Sequence, residues 1–500
     1  MRSSGSATDD ESQRGAAAGK GAAAPGGAPS RHAAAAGLAA AEAAGRAQGA
    51  ARRRERGGET PAAGAVTAPI DAPAGPGGLG IEPASVAGIA RREPSVAPAL
   101  LVADAGRFPR RRPGGIPDLN PSILTGMRPF QRRMERTKRN ARPGGRPGGE
   151  LAVRTEKAIE LGLLFLRRCQ ESDGRWRLER FDDQDGTIQV RSDAAATGLA
   201  LLAFQGAGYH HQSEKHGDAI RAAIDFLIDR QQDDGGLFIA ADIDSDRYSR
   251  FYTHAIATIA LCEAYGMTRD ERLKEPAQRA VNYIVATQNP QRGGWRYRPR
   301  VSSDTSVTGW MMMALKSAQI SGLDVPRKTM QRIDRWLQRA MVDESKPYLY
   351  RYNPDAPDAQ AHGRRPTPTM TSVGLLMQLY SGWNRKDERL QHGAEYLLQS
   401  PPAIGTRSDP RRDTYYWYYA TQVLYHMGGD YWKEWYSVLY PMLIDSQETQ
   451  GELAGSWDPV RPVPDRWAPH GGRIYVTTMN LLSLEVRYRI LPLYEQTVAR

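Results

Sequence analysis

A chain of 500 residues with 67 Lys and Arg, 56 Asp and Glu and two cysteines is longer than one ordinary domain, and its cysteine count excludes a disulfide framework or a Cys-rich metal centre. No run approaches the roughly 18 apolar residues of a membrane span, and the N-terminus lacks a compact signal-peptide core, so the chain reads as cytoplasmic. Peripheral membrane contact stays open, because it needs only an apolar patch.

Charge is unevenly placed. Residues 1–148 hold 23 basic and 12 acidic side chains, and the remainder holds 44 of each. The first stretch is dominated by Ala, Gly, Pro and Arg, with scarcely an aromatic, so it cannot bury enough apolar surface to offset its ordering entropy. It is expected to be a disordered basic tail whose arginine clusters at 52–56, 110–112 and 132–139 can contact anionic surfaces. No interleaved aromatics mark a specific nucleic-acid binder. Residues 149–500 are expected to fold.

From there helical segments alternate with turns. Residues 150–169 read as an outer helix, with Ala158, Leu161, Leu164 and Phe165 on its apolar side, and 193–204 as its inner partner, ended by Gly206 and Gly208. Residues 220–228 open a second unit; Asp242-Ile-Asp244-Ser-Asp246 reads as a solvated acidic loop before an inner helix over 252–265. The third unit, 280–322, is the clearest. A segment with Val281, Ile284 and Val285 at helical spacing stops at Pro290, Gly293 and Gly294, Trp295 follows, and a second helix opens on Asp304 as N-cap. That helix is apolar around most of its girth, as Val307, Trp310, Met311, Ala314 and Leu315 show, so it belongs inside a protein. A fourth unit takes 330–341 and 369–380 around a Pro-rich surface excursion, 353–369. The fifth has 390–399 and 413–427, including the consecutive aromatics Tyr415, Tyr416, Trp417, Tyr418 and Tyr419. The sixth follows Trp457 and runs over 476–486.

The turn anchors Trp176, Leu237, Trp295 and Tyr350 lie 61, 58 and 55 residues apart. A period of that length, carrying a mostly apolar second helix in each unit, points to an all-α protein: an α/α toroid of about six helical hairpins, with an open α-solenoid as the competing arrangement. Cys169 and Cys262 read as small buried hydrophobes.

Gln170/Gly174/Trp176, Gln288/Gly293/Trp295 and Gln450/Gly455/Trp457 resemble the QW repeats of squalene-hopene cyclases and the wider prenyltransferase and squalene oxidase repeat superfamily. Asp304-Thr-Ser-Val-Thr-Gly-Trp-Met-Met-Met is similar to the inner helix that follows such a turn, and Asp193-Ala-Ala-Ala-Thr-Gly matches it column by column. The resemblance covers about residues 151–495. It implies a toroid in which the Gln caps a helix and the Trp packs on the neighbouring turn, and a terpenoid cyclase-like isomerase or prenyl transferase-like activity on a hydrophobic small molecule or polyprenyl chain. The Asp-x-Asp-Asp acid of the cyclases is missing. Ser306 stands where a zinc-dependent prenyltransferase has Cys, so no metal and no cofactor is expected.

Asp304 and Asp193, at the mouths of inner helices, are the candidate acids, although a helix N-terminus favours the carboxylate and N-capping is the structural reading of each. Tyr252, His254, Trp310, Tyr416, Trp417 and Tyr475 are the candidate ligand-binding residues, since ring faces stabilise apolar or cationic groups; core packing is their alternative. Against the enzyme stands a non-catalytic toroid that scaffolds or binds lipid, peptide or polysaccharide.

Overall fold

The computed structural model describes residues 130, 131, 133–136, 149–238 and 243–490, with the backbone alone for 243–247. Most of the tail, 1–129, lies outside the described residues. Among the described residues twelve long helices form two concentric layers. The outer helices are α1 (Glu150–Cys169), α3 (Gly217–Asp229), α5 (Glu271–Thr287), α7 (Arg327–Ala340), α9 (Glu388–Leu398) and α11 (Gly429–Asp445). The inner ones are α2 (Asp193–Gly206), α4 (Ile243–Thr268), α6 (Thr305–Ile320), α8 (Pro368–Tyr380), α10 (Thr414–Met427) and α12 (Ala468–Leu484). A final turn, α13 (Val486–Arg489), follows them.

Burial explains the two layers. The inner helices α2, α6, α8 and α10 are enclosed on nearly every face, from Ala194 to Gly206 in α2 for example, whereas α7 buries only one stripe, Thr329, Met330, Ile333, Trp336, Leu337 and Ala340. In α1 that stripe leaves out Leu164, which points to solvent. Both cysteines are buried and unpaired.

The ring is closed. Helix α12 packs on α2, and α11 and α12 pack on α1. The repeat hardware shows how. In four units one Gln amide donates both to the carbonyl of the glycine in its own turn and to a carbonyl in the next outer helix. Gln170 reaches Gly174 and Ala219 of α3, Gln231 reaches Gly235 and Pro276 of α5, and Gln288 reaches Gly293 and Thr329 of α7. Gln447 reaches Gly455 and, at 2.9 Å, Ala158 of α1, which joins the last unit to the first. An open solenoid is thereby excluded.

One glutamine differs from the sequence reading: Gln447, not Gln450, serves the last turn, and Gln450 is exposed. The longer loop before Trp457 moves the Gln out of the expected spacing. Gln447→Ala should destabilise the chain by about 2–3 kcal/mol, because two buried carbonyls lose their donor, while Gln450→Ala should change it by under about 0.5 kcal/mol. Chemical denaturation of the two variants checks this.

The tryptophan of three turns is pinned twice. The indole N–H groups of Trp176, Trp295 and Trp457 donate to Leu166, Ile284 and Leu443 near the ends of their outer helices. The backbone N–H of Trp176, Trp295, Tyr350 and Trp457 donates to Thr197, Thr308, Thr371 and Thr477 on the inner helix. The fifth unit lacks this turn. There Tyr416 bonds the carbonyls of Leu397 and Ser400, and the Trp435 indole bonds Thr421.

Three boundaries also move. Helix α4 begins at Ile243, so the expected acidic loop at 242–246 is helical backbone from Ile243 onward; its side chains lie outside the described residues. Helix α12 begins at Ala468, well ahead of the apolar run, with a break at Gly472. Residues 130, 131 and 133–136, counted with the tail on composition, are helical, and Phe130, Arg133 and Arg136 are buried against the ring.

Candidate functional site

The N-terminal ends of the inner helices gather on one mouth of the ring. Ala195 and Leu199 of α2, Ser249, Tyr252, Thr253 and Ile256 of α4, Trp310 of α6, Tyr415 of α10 and Tyr475 of α12 wall a cavity there. Leu178 and Val190 from the α1–α2 connection, with Trp467, His470 and Gly471 from the start of α12, complete it. Its volume is only ≈ 50 Å³, so it is a narrow slot.

The hydroxyls on these walls are mostly engaged elsewhere. Tyr252 donates to Ser306 Oγ at 2.9 Å, and Ser306 Oγ lies 2.6 Å from the Tyr415 hydroxyl. Thr253 Oγ1 is 2.8 Å from Ser192 Oγ. What remains toward the slot is ring faces and methyl groups. Tyr475 is the exception, its hydroxyl buried with no partner. Trp310 stacks on Tyr418, with centroids 5.8 Å apart, and Tyr415 tilts against Trp467 at 5.7 Å. Each such pair adds about 0.5–1.5 kcal/mol beyond area burial, which holds the walls rigid.

Asp304 sits one layer behind the slot and does not line it. It is fully buried; Oδ1 accepts from the Val307 N–H at 2.8 Å, Oδ2 from the Tyr352 hydroxyl at 3.1 Å, and Arg296 Nε lies 3.7 Å from Oδ2. Burial pushes its carboxyl up to about 7, against the lowering effect of Arg296 and of the helix N–H groups. At neutral pH it is therefore poised between acid and carboxylate. Tyr352, whose hydroxyl is 2.6 Å from that of Tyr297, comes from the edge of the Pro-rich connection expected to run over the surface.

Asp193 is placed differently despite the matching columns. Ser192 caps α2 through the Ala195 N–H, and Asp193 lies on the rim, 3.5 Å from Arg175. Burial and the nearby Glu179 raise its carboxyl above the ordinary value. The structure brings Tyr252, Trp310 and Tyr475 together on the slot and leaves the other three aromatic candidates off it. Tyr416 turns outward to the end of α9, and Trp417 is packed in the core. His254 is the second unit's substitute for threonine. Its Nδ1 accepts the Leu237 N–H at 3.1 Å, which fixes the Nε2–H tautomer that donates to Ala280 O at 3.1 Å.

Trp467, His470 and a second buried carboxylate, Asp465, were missed. Asp465 accepts the N–H groups of Thr414 and Trp467 at 3.0 and 2.9 Å, and burial raises it to about 6. The indole of Trp467 donates to Asp413 at 2.9 Å. Pro469 next to the start of a helix was the available signal.

No family model and no curated protein matches the chain. Among solved structures, the type II terpene cyclase MstE from Scytonema in its apo form is 14% identical, with 69% of this chain and 100% of that chain covered and a TM-score of 0.44. An alpha-amylase from Clostridium perfringens is 11% identical (69% and 100% covered, TM-score 0.47). An inactive variant of the alpha-1,6-mannanase GH76A of Salegentibacter sp. HEL1_6 is 12% identical (68% and 99%, TM-score 0.45). Likenesses this distant say nothing of chemistry. Among the described residues no helix is long and apolar enough to cross a membrane.

Proposed function

We propose that the chain handles an apolar ligand of isoprenoid type in the slot at the aromatic mouth of the ring. The observation that carries this reading is the wall itself, in which Tyr252, Tyr415 and Thr253 turn their hydroxyls to partners and present carbon to the slot. At ≈ 50 Å³ the slot is well short of the roughly 300 Å³ at which ligand sites begin, so its walls must open to admit a prenyl chain. Acid-initiated isomerisation, as in a terpenoid cyclase-like enzyme, would use Asp304, the buried carboxyl held near 7, and because Asp304 does not line the slot its proton would have to pass through an intervening hydroxyl or water.

A second reading, binding without turnover, is favoured by one observation: both Asp304 oxygens are already used by the fold, one by the Val307 N–H and one by Tyr352. One variant separates the two. Asn caps a helix about as well as Asp, so Asp304→Asn should fold. Under acid catalysis it should lower turnover of geranylgeraniol or squalene by at least about 10³-fold. Under simple binding it should leave unchanged the ligand-induced quenching of the two slot tryptophans, Trp310 and Trp467. If neither probe gives saturable quenching of the wild type, the slot is not a ligand site.

A further inference from the structure

At the opposite mouth, where the inner helices end, the ring carries a socket of carboxylates. Glu263 of α4 and Glu485, between α12 and α13, are buried, and Glu156 and Glu160 of α1 stand beside them. The helical residues 130, 131 and 133–136 lie in this socket. Arg133 donates to Glu263 at 2.6 Å and to Arg489 O at 2.8 Å; Arg136 pairs with Glu156 at 2.6 Å and Glu160 at 3.3 Å, and donates to Ala207 O at 2.7 Å. Both guanidiniums are at most 5% exposed.

The ring is shaped for this occupant. A Cβ on Gly208 would lie 2.0 Å from Arg133 O, and one on Gly266 would lie 2.3 Å from the Phe130 ring. Phe130, Arg133 and Arg136 fall at i, i+3 and i+6, one face of a helix. Without the segment, the four carboxylates would keep Arg489 and the Lys215 that pairs with Glu160 as their cations. Burial raises Glu263, but Arg133 and Arg489 outweigh it and hold the carboxyl below its ordinary value; Glu485, both oxygens unpartnered, is raised well above. Contacts also run inward. Arg489 pairs with Glu263 at 3.2 Å and donates to the Tyr418 hydroxyl at 2.7 Å, and Tyr418 stacks on Trp310 of the slot.

We propose that residues 130, 131 and 133–136 form an intramolecular plug, an arginine-bearing helical segment seated in an acidic socket that closes the second mouth of the ring and braces the floor of the aromatic slot. Charge complementarity and the two glycines select this occupant, and the slot is thereby left to exchange ligand through its own mouth.

Hydrogen–deuterium exchange on the full chain tests this. Amides at 130–136 should exchange at least about a hundredfold more slowly than free chain. Arg133→Gln with Arg136→Gln should remove that protection and speed exchange about tenfold at 264–268 and 486–490, with α9 unchanged. Should the double variant fail to fold, Phe130→Ala is read the same way. Unprotected amides at 130–136 in the wild type, or protection that survives the substitutions, would overturn the plug. The measurement needs no ligand, so its outcome is independent of whether the slot binds one.

Discussion

Gly293→Ala should cost about 2–5 kcal/mol, the largest loss expected from adding one methyl group anywhere in a repeat turn. Gly293 has φ +88°, and an added Cβ would sit 1.8 Å from Arg332 O. Positive φ alone costs an L-residue about 1–2 kcal/mol. The clash adds more, because the neighbour is the backbone of α7 and cannot rotate away; overpacking of this kind costs about 1–3 kcal/mol. Gly451→Ala is the control. Its φ is +71° and nothing lies within 4 Å of the added atom, so about 1 kcal/mol is expected. Urea unfolding of both variants gives the comparison. Equal losses would show that the turn does not press on the next outer helix.

The second large effect is a loss of stability in acid. His254 is fully buried, and burial pushes its imidazole down to about 3. Nδ1 faces the Leu237 N–H, so a proton added there would meet another donor. Unfolded, the same group titrates near 6.5. Between about 3 and 6.5 the unfolded chain therefore binds a proton that the folded chain does not. Stability rises with pH across that window, is complete above it, and is lost as pH falls through it, by about 5 kcal/mol in full. His254→Thr installs the residue that four other units use at this position, keeping the acceptor for Leu237 while removing the titration. It should flatten the acid limb of ΔG against pH by about 3 kcal/mol over the part of the window reached by denaturation from pH 7 to pH 4. Asp304 works in the opposite sense. Its folded value, about 7, lies above the unfolded one, so its contribution is present below about pH 4 and is lost as pH rises to 7. The difference between wild type and Asp304→Asn should therefore shrink as pH rises.

The repeat was readable because its parts are short-range. Trp176, Trp295 and Trp457 each follow a Gly-bearing turn and precede an apolar helix, so the hairpin repeat could be read locally, whereas the closure of the ring, with an open solenoid as the competitor, could not. Gln447 was hidden because a longer loop separates it from Trp457, and only the carbonyl of Ala158, far away in sequence, reveals its role. The site was less legible for the same reason. Tyr252, Trp310 and Tyr475 share the slot although 58 and 165 residues separate consecutive members, and nothing local distinguishes them from Tyr416 and Trp417, which pack elsewhere. His254 resembled a cavity residue until the threonines of the other units showed what stands in its column. Arg133 and Arg136 were hidden by composition: their surroundings are Arg- and Pro-rich, and the partners that bury them lie in α1, α4 and α13.

The bond from Gln447 to Ala158 spans 289 positions of the chain. Until it forms, the opening stave of this barrel has a bare flank, so a polypeptide emerging from the ribosome must hold that flank unmatched through nearly the whole of its synthesis. Contacts so distant in sequence slow folding and expose apolar surface meanwhile. Assembly should accordingly end in one late, concerted step, with the first and last hairpins acquiring protection together.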